Sequence, residues 1–129
     1  MKRRSAQGSI TGFVAVIMLA ILACSGLVID GARIIGAKVT AADHAENAAR
    51  AGAQEVTALR SGGYVIDEAK AQSAASAYLS AHGVSGSVIT TPTQVSVTVT
   101  DTVHTTLLAL VGVGSKSVSA TRSSVAVTK

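Results

Sequence analysis

The residues in this chain that could do chemistry are few and dispersed. Histidines stand at 44, 82 and 104. They stand far apart along the chain, in three different predicted elements, so the spacing gives no support for a shared metal site. His44 lies on the polar face of a helical segment and reads as solvated. His82 sits beside Gly83, a helix stop, where an imidazolium suits the helix dipole. His104 follows an alternating strand. Cys24 is the single cysteine, which excludes an intrachain disulfide and a multi-cysteine zinc site. Asp67 and Glu68 are adjacent, so on a helix they point about 100° apart and make no acid–base pair. No serine occupies a nucleophile elbow and no glycine-rich phosphate loop occurs. The residues predict no enzyme, no catalytic or metal site, no cofactor and no small-molecule substrate.

Asp30 asks for an explanation. It ends a long apolar run, where burying a carboxylate is expensive. Two readings stand side by side. Either Asp30 pairs with Arg33 at i+3 or with water, or it meets a basic group on a neighbouring subunit.

The run itself extends from Ile10 to Ile29, and no charged residue stands between Ser5 and Ile29. At about 1.5 Å per residue, 20 helical residues reach roughly 30 Å, the thickness of a hydrocarbon core. The run is read as a transmembrane helix. Lys2, Arg3 and Arg4 precede it, and a mixed set of charges follows. That bias predicts a single pass with the N-terminus cytoplasmic and the C-terminal domain extracytoplasmic. Three fates compete: a retained anchor, a cleaved secretory signal, and a lipoprotein signal that would make Cys24 a lipidation site.

Helical character continues past the run. No proline occurs between Asp30 and Leu59, and alanine dominates. Asp43, Glu46, Asn47, Arg50 and Gln54 mark a polar face. One helix from about Thr11 to Leu59 is predicted, with kinks open at Gly31, Gly36 or Gly52. Small residues recur at every fourth position: Ala37, Ala41, Ala45, Ala49 and Ala53, with Gly8 and Gly12 spaced likewise near the start. Small side chains let another helix approach closely, so this row, with Asp30 and Arg33, is the candidate assembly surface.

Ser61-Gly62-Gly63 breaks the pattern. A second helix is predicted over about Val65 to Ala81, with Asp67 as N-cap or first-turn acid. Then the signal turns to β. Ser87 to Thr90 is a short strand candidate, and Gln94 to Val103 alternates Val with Ser and Thr. Residues 105–111 suggest a helical turn or loop cap. Lys116 to Val127 alternates again but changes phase near Arg122, which predicts a bulge. The expected fold is α+β and pilin-like: a long N-terminal transmembrane helix continuing into a small domain with a second helix and a three-stranded antiparallel sheet. Its divisions are a basic N-terminus at 1–9, the span at 10–29, a helical continuation at 30–60 and the small domain at 61–129.

The net charge of +4 is spread rather than striped. Phe13, Tyr64 and Tyr78 are the only aromatics of the Phe, Tyr and Trp class. Nucleic-acid binding needs a basic stripe with stacking rings, so no nucleic-acid contact is predicted.

Together, the basic start with Arg-Arg-Ser-Ala-Gln-Gly-Ser-Ile-Thr, the apolar span, Leu27 to Arg33, and Ala41 to Ala53 resemble the TadE/TadG-like proteins of the Tad (Flp) pilus system. The Val/Thr strand, residues 105–115 and the last strand resemble its actinobacterial forms. The resemblance implies a minor pilin or pilus-assembly component of a type IV-like filament. Its partners would be membrane lipid and other pilin-like or Tad assembly subunits, in the plasma membrane or on a cell-surface pilus. It also places a prepilin cleavage at Gly8-Ser9. Processed members carry Glu five residues into the mature chain, whereas Phe13 stands there in this sequence. The competing expectation is a membrane-tethered or lipoprotein binding module at the cell surface.

Overall fold

A computed structural model describes residues 7–59 and 61–126. The basic cluster Lys2 to Arg4 lies outside the described residues. An unbroken helix, α1 (Gln7–Ala53), carries the first part of the chain. Good helix formers and the absence of proline sustain it through Gly31 and Gly36.

The helix ends at Ala53, six residues short of the predicted Leu59. Gln54 and Glu55 close the last turn by donating N–H bonds to Arg50 and Gly52. The β-branched pair Val56-Thr57 then enters a short hairpin instead. β1 (Val56–Ala58) pairs antiparallel with β2 (Tyr64–Ile66), Val56 opposite Ile66. Gly62 makes the turn at a φ of 86°, a conformation side chains disfavour. The hairpin buries Ile66, which a longer α1 would leave without a place.

Because β2 takes Val65 and Ile66, α2 spans Glu68–Ala81 rather than starting at Val65. Asp67 is its N-cap and accepts the Lys70 N–H at 3.2 Å. Gly83 follows the C-terminus at a φ of 63°.

The remaining strands are β3 (Gly86–Thr90), β4 (Gln94–His104) and β5 (Ser115–Val125). They form the three-stranded antiparallel sheet that alternation predicts, with β4 central. The expected bulge near Arg122 is absent. Pairing runs in one register from Gln94↔Val125 to His104↔Ser115. The phase change has a simpler cause: Val125 points outward and is exposed. One sheet face buries Val95, Val97, Val99, Val118 and Ala120. The other carries hydroxyls, with Thr98 and Thr121 in a hydrogen bond of 2.8 Å and Ser96 and Ser123 in one of 3.1 Å.

The core is thin and built from small residues. Ala41, Ala45, Ala48, Ala49 and Ala53 of α1 pack on the three β4 valines, with Ala71, Ala75 and Leu79 of α2 at the flank. Small side chains bring helix and sheet close. A Cβ on Gly52 would stand 2.9 Å from the Ala71 carbonyl and 3.1 Å from Val95.

The lengths of these elements match. From Asp30 to Gly52 a helix rises about 33 Å, and eleven strand residues cover about 36 Å. β4 starts beside Gly52, runs back along α1 and delivers the β4–β5 loop at Asp30. That loop holds a 3-10 turn, Leu108–Val111, closed by Gly112 at a φ of 92°.

Candidate site at the base of the head domain

Asp30 is fully buried, at 0% exposure. The β4–β5 loop wraps its carboxylate. Oδ1 accepts the N–H of Thr106 at 3.1 Å, and Oδ2 accepts those of Leu107 and Leu108 at 2.8 Å each. Charge-assisted bonds to backbone N–H groups are strong and directional. Three of them replace the hydration that the carboxylate gives up. Arg33 does not supply the main contact. Its Nη1 lies 4.0 Å from Oδ1, and its side chain is half exposed. It donates instead to Thr106 Oγ1 at 2.7 Å. Thus Asp30 and Arg33 grip the same loop, one through its backbone and the other through a side chain. Neither reading from sequence names this partner, which lies more than seventy residues away.

Gly26, one turn before Asp30, receives Leu107. A Cβ at Gly26 would stand 2.8 Å from Leu107 Cβ and Cδ1, so the absence of a side chain makes room for the loop. Thr105 holds the loop's base, its hydroxyl donating to the Val113 carbonyl. Among the described residues, no buried side-chain polar atom lacks a partner.

The alanine row divides in two. Ala41, Ala45 and Ala49 are buried under this chain's own sheet and α2. Ala37 is half-buried, at the edge of the domain. Below it, apart from Gly26 and Asp30 under the β4–β5 loop, α1 is largely bare. Phe13, Val16, Leu19, Leu22, Leu27 and Val28 are among its exposed large side chains. Of the most apolar 18-residue window, 6% is buried, unlike a core helix. This is one helix long and apolar enough to cross a membrane. Cys24 is exposed within it. A Cβ at Gly12 would meet nothing within 4 Å. Gly8 and Ser9 belong to the helical backbone.

Two of the three histidines do meet. α1 and α2 bring the His44 and His82 ring centroids to 5.5 Å, with Tyr78 stacked on His82 at 4.1 Å. The Tyr78 hydroxyl is 3.5 Å from His44 Nδ1, and His82 Nδ1 donates to the Tyr78 carbonyl at 2.8 Å. Far apart along the chain, His44 and His82 are thus neighbours in space. The cluster closes the helix–helix seam. Among the described residues, no group of three or more His, Cys, Asp or Glu is placed to hold a metal ion.

No curated protein and no solved structure matches the chain. A family model does match at residues 8–55, and its description is putative Flp pilus-assembly TadE/G-like. The matched segment coincides with α1 (Gln7–Ala53), its apolar half and its Asp30–Arg33 boundary included. Residues 8–55 of this chain are thus similar to the TadE/G-like segment that this pilus-assembly family model describes.

Proposed function

We propose that this protein is a minor pilin-like structural or assembly component of a Tad (Flp) type IV-like pilus. One observation carries the reading. The TadE/G-like match falls on a helix whose apolar half, from Ile10 to Ile29, the chain's own domain leaves largely uncovered. An exposed apolar helix of this length needs lipid or other helices around it. The bare half of α1 is the surface on offer, with Gly8, Gly12 and the domain-edge Ala37 where a second helix comes closest. The buried Ala41, Ala45 and Ala49 serve the head domain itself. The protein sits in the plasma membrane, N-terminus inside and head outside, beside membrane lipid and other pilin-like subunits.

A photo-crosslinking residue at Val16 tests this in cells that build the pilus. Mass spectrometry of the adduct should identify another helix-first Tad component, while a crosslinker at Ser119 on the hydroxyl face should not. Adducts with lipid alone, together with normal pili in cells lacking the protein, overturn the reading. The mass of the mature N-terminus distinguishes the routes of processing: Met1 marks a retained anchor, Ser9 a prepilin cut, and an acylated Cys24 a lipoprotein.

A further inference from the structure

The β4–β5 loop hangs below Asp30, toward the apolar end of α1. Leu107 packs on Gly26, about 6 Å below Asp30 along the helix. Leu107, Leu108 and Leu110 form one wall of an open groove of 720 Å³, and Leu19, Leu22 and Gly26 form the other. Leu19 lies about 16 Å below Asp30. Leu110 is 82% exposed, the most exposed large hydrophobic of the described residues.

No charged residue occurs between Thr105 and Gly114. Just above stand Arg33, on the helix, and Lys116, paired with Val103 near the end of β4. Apolar tip and basic rim have the order of a bilayer edge, hydrocarbon below and anionic headgroups above.

The backbone of the loop fits the same environment. Non-helical chain is tolerated at hydrocarbon depth only where its polar groups are satisfied by protein. Here Thr105 donates its N–H to the Gly114 carbonyl, and Thr106, Leu107 and Leu108 donate to Asp30. Leu110, Gly112 and Val113 donate within the loop. A buried carboxylate at this place does what water would do for a loop in solution.

We infer that the loop from Thr105 to Gly114 is a second membrane-embedded element, dipping into the acyl chains beside α1, with lipid occupying the Leu19–Leu110 groove. The inference rests on the reading of Ile10 to Ile29 as a membrane span. Continuity argues for lipid as the occupant, because the groove opens onto the bare surface of that span and shares its walls with it.

The full chain has no tryptophan, so one introduced residue reports alone. The experiment compares Leu110→Trp, Ile21→Trp and Ser119→Trp, each reconstituted in phosphatidylcholine vesicles with lipid brominated at mid-chain. Ile21 reports the span and Ser119 the solvent face of the head. The expected result is blue-shifted emission from Leu110→Trp, with quenching at least half that at Ile21→Trp and none at Ser119→Trp. Quenching at Ile21 without quenching at Leu110 overturns the inference and leaves the span standing. Blue-shifted but unquenched emission at Leu110 assigns the groove to protein and also overturns it. No quenching at either position overturns the span reading itself. If Leu110→Trp does not fold, a nitroxide on Leu110→Cys in a Cys24→Ser background replaces it. Greater accessibility to oxygen than to a nickel chelate then supports the inference, and the reverse overturns it.

Discussion

Asp30 and Leu108 stand 78 positions apart, yet the Leu108 N–H donates to Asp30 Oδ2 at 2.8 Å. The bond joins the end of the apolar helix to the tip of the longest hairpin, and two further N–H bonds reinforce it. Removing the acceptor leaves three backbone donors without a partner. Asp30→Ala should raise hydrogen exchange at Thr106, Leu107 and Leu108 by roughly tenfold or more in detergent, with exchange at Val97 nearly unchanged. Asp30→Asn keeps one acceptor oxygen and should fall between. Equal acceleration in loop and core would show that Asp30 supports the whole fold rather than the loop.

Two glycines of α1 should respond in opposite ways to alanine. At Gly26 the added Cβ collides with Leu107 Cβ, which cannot swing away. Overpacking of this kind costs about 1–3 kcal/mol, so Gly26→Ala should lower the melting temperature and loosen the loop. At Gly36 a Cβ meets nothing within 4 Å. Gly36→Ala should stabilise by up to about 1 kcal/mol through helix propensity. Thermal denaturation of the two purified variants decides the signs.

With so little bulk in the core, the β4 valines carry much of it. Val95, Val97 and Val99 are the largest fully buried apolar side chains. Val97→Ala should cost about 1–3 kcal/mol, measured by denaturant unfolding. Val125→Ala, at an exposed position of the same sheet, should stay within about 0.5 kcal/mol of the parent.

Asp67 gives α2 an acid limit. The Lys70 N–H, and then the Lys70 side chain against the opposing cost of burial, hold its carboxyl below the ordinary value. A carboxylate with a depressed folded-state pKa adds stability above its unfolded value near 3.9, lost as pH falls through the lower folded value. Helicity of α2 should therefore weaken below about pH 4. In Asp67→Asn, which still caps without titrating, that component of the pH dependence should vanish from circular dichroism.

The sequence discloses what depends on local pattern. The apolar run, the α2 cap at Asp67, the Gly83 stop and the Val/Thr alternation of β4 each have a signal within a few residues. The hairpin of Val56–Ala58 with Tyr64–Ile66 does not, because three-residue strands are too short to show a period. Val125 resembles a core position by type and misleads about register, since nothing local says which face is covered. The meeting of His44 with His82 depends on how α1 crosses α2. Asp30 is the sharpest case. An acid closing an apolar run signals a functional demand, but its partners come from a loop whose arrival depends on the length of β4. The one clue to them was a leucine-rich stretch, Thr105 to Val111, without a charge of its own.

The grip of the loop on α1 straddles a glycine. Leu107 against Gly26 and the three bonds to Asp30 lie on one side of Gly31, and the Arg33 bond to Thr106 lies on the other. Gly31 is one of the glycines at which helix propensity is weakest as α1 leaves the apolar run. The loop therefore works as a splint. Tilting the head about Gly31 requires pulling the loop off Gly26 and Asp30, with all three N–H bonds lost together, so the loop stiffens the joint between head and stalk.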